Sequence, residues 1–253
     1  MADIATPEFL SNLKQLYPPQ STYVKSPWYA VAAITFSASN CPEAVPLVLE
    51  YVLEDLDAIP GASHADRLAA ARKIRDALFK SGMICGFPKV INALILLHEA
   101  TPPALQDKET LRNPDPSVEE LTQAGKAYFD HTYGETAKDT QALLKDIYPD
   151  LGASRVAVYL ALQALNLAPG YYVTNLAYGY GYAFMGATSP METSFAMISA
   201  LIAIDTPRQI GWHLDGAMRN GATREEVRAV RSIAMQIAKA AGVVWKHDIP
   251  DLQ

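Results

Sequence analysis

The chain is 253 residues long and half hydrophobic, with 21 Lys or Arg against 27 Asp or Glu and a formal net charge of -6. That is mass enough for one large domain or two modest ones around a sizeable core, which excludes a disordered chain and a disulfide-stapled mini-protein. The acidic balance and the lack of a long Lys/Arg cluster exclude a nucleic-acid partner.

The two cysteines, Cys41 and Cys85, fall in no CxxC or Cys/His spacing. The residues therefore imply no disulfide framework, no structural metal site and no iron–sulfur cofactor, in keeping with a reducing compartment. Asp3 and Glu8 stand where a signal peptide carries positive charge. The longest apolar stretches, Ile91 to Leu97 and Ile198 to Ile204, fall far short of the roughly 20 residues that cross a bilayer. The expectation is a cytoplasmic protein with no membrane partner.

In chain order the periodicity is helical nearly throughout. Phe9, Leu10, Leu13, Leu16 and Tyr17 form one apolar stripe, and Leu68, Ala71, Arg72, Arg75, Leu78 and Phe79 give a helix with apolar and basic faces. Asn113-Pro114-Asp115-Pro116-Ser117 is a breaker followed by an N-cap, opening a helix from Val118 to Tyr133 that Gly134 ends. Asn220-Gly221 stops another helix, and Thr223-Arg224-Glu225-Glu226 is a capping box. These predict a helix-turn-helix from Pro207 to Ala241, its second helix striped by Val227, Val230, Ile233, Ile237 and Ala241. Strand-like alternation is confined to Tyr171-Tyr172-Val173-Thr174, so the fold class is all-α.

The chain also echoes itself. Ala30–Leu56 aligns without gaps on Phe195–Gly221, with Pro42 on Pro207, and Arg72–Lys80 parallels Arg231–Lys239. The expected organisation is two related helical units, residues 1–112 and 113–253, with their packing as a single domain left open.

The stretch His213 to Val227 resembles the signature helix-turn-helix of the carboxymuconolactone decarboxylase family, within the alkyl hydroperoxidase D-like superfamily. Gly86-Phe87-Pro88 and the residues to Leu94 are similar to the family's glycine-phenylalanine-proline motif, and Gly125–Glu135 and Pro149–Leu151 suit its connecting region. The resemblance implies a duplicated all-helical fold that assembles as a homo-oligomer, a dimer or trimer, because rings of six signature units are common and this chain supplies two. Redox members carry CxxC ahead of the His; here those positions hold Thr206 and Gln209, with only His213 retained. Neither an alcohol nor an amide replaces the thiolate pair. Decarboxylase members carry Gly-Glu and then Arg, where this chain has Gly181-Tyr182 and Thr193. In the first unit Cys41 takes the first thiol position and Val48 the position of the His.

His213 is the candidate acid/base, a neutral imidazole able to take or give a proton, with a hydrogen-bonded core histidine as the plainer alternative. Tyr182, in the place of the expected Glu, is a candidate phenol donor to an enolate. Tyr178, Tyr180, Phe184 and Trp212 are candidate substrate-binding residues of an apolar pocket, against plain helix packing. Arg72, Arg75, Arg228 and Arg231 read as solvated faces, any of which could turn inward to a carboxylate. Glu225 and Glu226 read as capping residues, and His98 and His131 as helix-end histidines.

The leading functional expectation is a cofactor-independent, carboxymuconolactone decarboxylase-like lyase. It would perform proton transfer, as decarboxylation, isomerisation or cyclisation, on a small organic acid or hydrophobic metabolite. The alternatives are a peroxidase-type oxidoreductase using Cys41 or Cys85, and a non-catalytic descendant that binds a ligand or partner.

Overall fold

The computed structural model describes residues 4–148 and 171–252, and among them it is all-helical. Its α-helices in chain order are α1 (Pro7–Leu16), α2 (Trp28–Ala38), α3 (Ala44–Asp57), α4 (His64–Cys85), α5 (Phe87–Ala100), α6 (Val118–Tyr133), α7 (Ala137–Ile147), α8 (Pro190–Ala203), α9 (Pro207–Arg219) and α10 (Arg224–Ala240). A π-helix, Tyr171–Tyr182, precedes α8. Pro149–Leu151 and the side chain of Tyr171 lie outside the described residues.

The chain divides into two compact units, one of residues 1–109 and 187–253 and the other of residues 110–186. The division therefore differs from the sequence expectation of 1–112 and 113–253: α8, α9 and α10 return to the unit begun by α1 to α5. The physical reason is apolar surface on all sides of two helices. Every residue of α2 is buried, as is α8 from Glu192 onward, and a helix apolar all round must be enclosed by others. In the first unit α2 and α8 pack on each other, α4 and α10 each touch both, α3 lies on α2 and α9 lies on α8.

Local signals set the boundaries. Ser117 and Glu120 close a capping box at the start of α6 and Gly134 ends it. Thr223 and Glu226 do the same for α10, whose Val227, Val230, Ile233 and Ile237 are buried.

Backbone conformation recurs along the first unit. Among the described residues Asn40 (φ 62) and Asp205 (φ 58) are the left-handed non-glycine residues, and each sits in the turn between a central helix and the one that follows it. Gly61 (φ 85) and Gly221 (φ 96) precede the capping boxes of α4 and α10, and Gly86 (φ 93) and Gly242 (φ 84) follow those helices. The turns also share hydrogen bonds: Cys41 N–H donates to the Phe36 carbonyl at 2.9 Å and Thr206 N–H to the Leu201 carbonyl at 3.3 Å. The capping boxes set Ser63 against Thr223, which places Lys73 opposite Ile233 and Arg72 opposite Ser232 rather than Arg231.

In the second unit α6 packs on the π-helix. A Cβ on Gly125 would lie 1.8 Å from the Thr174 carbonyl oxygen, and one on Gly179 would lie 2.3 Å from that of Leu121. Only glycine at both positions allows the backbones so close. Tyr128, Phe129, Tyr133, Tyr178 and Tyr182 fill the unit's interior as an aromatic cluster. Among the described residues no helix is long and apolar enough to cross a membrane.

Candidate functional site

The inward face of α4 runs Ala70, Lys73, Ala77, Lys80, all buried, with Asp76 buried beside them. The spacing follows the apolar stripe of a helix, so two lysines lie where aliphatic residues are expected. α8 faces this surface and brings Glu192 and Thr193, with Thr188 just ahead of it.

Lys80 is wholly enclosed. Its Nζ donates to Thr188 Oγ1 at 2.7 Å and Thr193 Oγ1 at 2.8 Å, and lies 3.3 Å from Asp76 Oδ2. Thr188 in turn donates to Asp76 at 2.6 Å. A buried ammonium is tolerable only with a counter-charge and acceptors for its protons, and both are present here.

Lys73 pairs with Glu192 and donates to the Val24 carbonyl at 2.5 Å, its Nζ lying 5.9 Å from the centre of the Tyr29 ring. Glu192 divides its carboxylate. Oε2 accepts the Ser189 N–H at 2.8 Å and completes the α8 capping box, while Oε1 accepts Lys73. Tyr23 stacks on Tyr29 with centroids 6.2 Å apart. Tyr17 donates to Glu226 Oε1 at 3.0 Å while Glu226 Oε2 serves the α10 cap. Burial above all, then the Glu226 carboxylate, pushes the Tyr17 phenol far above its ordinary range, and burial does the same to Tyr29. Both phenols are therefore hydrogen-bond donors rather than bases.

Sequence reasoning missed Lys73, Asp76, Lys80, Thr188 and Glu192, and met Thr193 only as a substitution. Two signals were present: lysines on an apolar helical stripe, and Ser189-Pro190-Met191-Glu192, which has the spacing of a capping box with proline at the first turn.

The residues expected to form the site fall in both units. His213 and Trp212 are on α9 of the first unit, His213 buried and Trp212 half-buried. Burial pushes the His213 imidazole down to about 4, so it is neutral at physiological pH. Tyr178, Tyr180, Tyr182 and Phe184 belong to the second unit. Tyr178 and Tyr182 pack edge to face with centroids 5.2 Å apart, and the Tyr178 hydroxyl bonds that of Tyr133 at 3.2 Å. Phe184 lies under Arg112, 4.3 Å from guanidinium carbon to ring centre, and the Tyr180 carbonyl accepts from Arg112 Nε at 3.2 Å.

Three of the four arginines left open by the sequence have partners. Arg72 and Arg75 share Asp107, and Arg231 donates to the Ile249 and Pro250 carbonyls; Arg228 is exposed. Cys41 is buried and Cys85 partly so, and burial raises both thiols, leaving little thiolate. Among the described residues no group of three or more His, Cys, Asp or Glu side chains is placed to hold a metal ion.

Comparison with known proteins finds relatives of similar length. Over 224 residues the chain is 34% identical to Peroxisomal protein 2 of Schizosaccharomyces pombe, covering 88% of this chain and 91% of the relative. It is 25% identical over 305 residues of alignment to Peroxisomal protein 2 of Saccharomyces cerevisiae, covering 100% of both. No family model and no solved structure matches.

Proposed function

The chain belongs to the peroxisomal protein 2 family, and from that premise we propose that it is a cofactor-independent enzyme moving protons on a small organic acid or hydrophobic metabolite. The observation that carries this reading is the charge in the core. We take the two halves of the first unit as copies of one helical unit, the recurring left-handed turns being the support. On that correspondence the contact of α8 with α4 is repeated by the contact of α2 with α10. Where the first holds Lys73 and Glu192-Thr193, the second holds Ile233 and Pro27-Trp28, with Ile233 and Trp28 fully buried. The packing is thus made once without the ion pair. Buried ion pairs contribute little net stability relative to apolar replacements, which leaves chemistry as the reason for keeping one.

The parts suit proton transfer. A carboxylate-bearing substrate needs a cation, and Lys73 is one at the rim of the core. Removing a proton from carbon needs an unprotonated base, and His213 is neutral at physiological pH. The phenols of Tyr17 and Tyr29 remain donors. The raised thiols of Cys41 and Cys85 weigh against a one-cysteine peroxidase. The second unit's aromatic cluster enters as packing, with the Tyr178 hydroxyl engaged by Tyr133.

Incubation of the protein in D2O with a panel of small carboxylic acids, ketones and lactones, followed by proton NMR, tests the reading. Deuterium should enter at carbon next to a carbonyl, and His213→Asn should slow this by about a hundredfold or more. A rate within a few-fold of wild type in that variant removes His213 as the base. An inert panel counts against the whole reading.

The relatives' name makes the peroxisome the compartment proposed here in place of the cytoplasm, and a fluorescent fusion imaged with a peroxisomal marker distinguishes them. Assembly as a dimer or trimer stays part of the proposal. Sedimentation of the wild type and of a variant with Ile91→Lys and Ile95→Lys, on the exposed row of α5, tests it.

A further inference from the structure

We propose that Lys73 is the anion-binding group of the first unit, and that Glu192 occupies, in the ligand-free chain, the place of a ligand carboxylate. This rests on the acid–base reading above but concerns the binding step alone.

The two buried lysines of α4 are not equivalent. Lys80 is fully enclosed, and the oxygens of Thr188, Thr193 and Asp76 match the three N–H donors of an ammonium. A ligand could reach it only by dismantling that set, so Lys80 is a positioning residue that fixes the start of α8 against α4. Lys73 has two hydrogen-bond acceptors, the Val24 carbonyl and Glu192. Its side chain is 8% exposed and that of Glu192 9%, against 0% for Lys80, so the Lys73 pair lies nearer the surface although the hydrogen bond within it is buried.

Glu192 is built to yield. One carboxylate oxygen serves the α8 cap through Ser189, and only the other holds Lys73. An incoming carboxylate can take over the second contact while the cap stays closed. The helix contact itself does not demand the ammonium, since the corresponding position on α10 is the buried Ile233.

The surroundings specify the rest of the ligand. Tyr29 presents its ring to Lys73 and stacks on Tyr23, and the Tyr17 phenol lies close enough to Glu192 to feel its charge. A cation bordered by aromatic rings favours a monocarboxylate on a flat, unsaturated or aromatic body over a dicarboxylate or a phosphate. Benzoate is the simplest probe of that class.

Calorimetric titration of the full chain with benzoate, and with benzamide as the uncharged control, tests this. Glu192→Gln keeps a residue fit for the capping box and removes the competing charge. It should tighten benzoate by about tenfold or more relative to wild type. Lys73→Met combined with Glu192→Gln leaves neither charge, should fold with wild-type helicity by circular dichroism, and should not bind benzoate. Benzamide should bind none of them.

The proposal is overturned if the double variant binds benzoate as well as Glu192→Gln does. It is equally overturned if folded Glu192→Gln fails to bind. Should binding fail while deuterium transfer to a neutral ketone persists, the anion site is wrong and the acid–base reading stands. Should benzoate bind as expected with no deuterium transfer to any substrate, the site stands and the acid–base reading falls.

Discussion

Two helix contacts of the first unit, α8 on α4 and α2 on α10, are filled with opposite chemistry. The first holds Lys73 and Glu192 with Lys80, Asp76 and two threonines behind them; the second, under the proposed correspondence of the two halves, has Ile233 and Trp28 in their place. Apolar packing is non-directional and sums over area, so it can close such a contact by itself. An ion pair in the same place must recover the solvation of both charges before it contributes anything. On the proposed reading, the difference marks the contact of α8 with α4 as the one that does something besides packing. Under the same proposed correspondence, the position of His213 on α9 is held by the fully buried Val48 on α3.

The sharpest way to break the comparison is to exchange the chemistry. Ile233→Lys puts an ammonium into the apolar contact without a counter-charge and should cost about 5 kcal/mol, enough to unfold much of the protein in a urea titration. Lys73→Met in the charged contact strands the Glu192 carboxylate and should cost about 3–5 kcal/mol. Adding Glu192→Gln should recover most of that loss, because the stranded charge goes with it. If the double variant is no more stable than Lys73→Met alone, the ion pair is structural after all.

His213 gives the next effect, read as pH dependence. Its folded value of about 4 lies below the ordinary 6.5, so between those values the unfolded chain takes up a proton that the folded chain refuses. Stability from this group is full above about pH 6.5 and is lost as the pH falls toward 4, by about 3 kcal/mol in all. His213→Gln should flatten that part of the stability profile, whereas Val48→Ala, at the corresponding position, should lower it evenly at every pH. Tyr17→Phe removes the bond to Glu226 and should cost about 1–3 kcal/mol, seen as a lower Tm.

The smallest effect comes from the turns. Asn40→Gly should stabilise by about 0.5 kcal/mol, since glycine adopts the left-handed conformation without penalty. Asp205→Gly should give no gain, because the Asp205 carboxylate also accepts the Lys246 N–H at 2.8 Å. Thermal melts of the two variants distinguish the turns.

Much of the fold was legible because its signals are local. Ser117 as an N-cap and Thr223 with Glu226 as a capping box act within a single turn, so they mark the starts of α6 and α10 without reference to the rest of the chain. The candidate site was harder to read. Lys73 and Glu192 are far apart in sequence, and nothing near either says that the other will neutralise it. In the sequence Leu68, Ala71, Leu78 and Phe79 mark the apolar face of α4 and Arg72 and Arg75 the basic one, which leaves Lys73 and Lys80 unassigned; in the structure Arg72 and Arg75 are drawn to Asp107 and the two lysines are buried. His213 was identified as a residue, but its depressed pKa comes from enclosure.

The sequence by itself determined the helical class and the cap and stop of individual helices, because each depends on spacing along one segment. Only the tertiary structure decided that α8, α9 and α10 return to pack with α1 to α5, that α4 presents lysines inward, and that the contact of α8 with α4 is charged. Those outcomes depend on which surfaces exclude water together, and desolvation, which sets the cost of every buried charge, belongs to the assembled core and not to any stretch of chain.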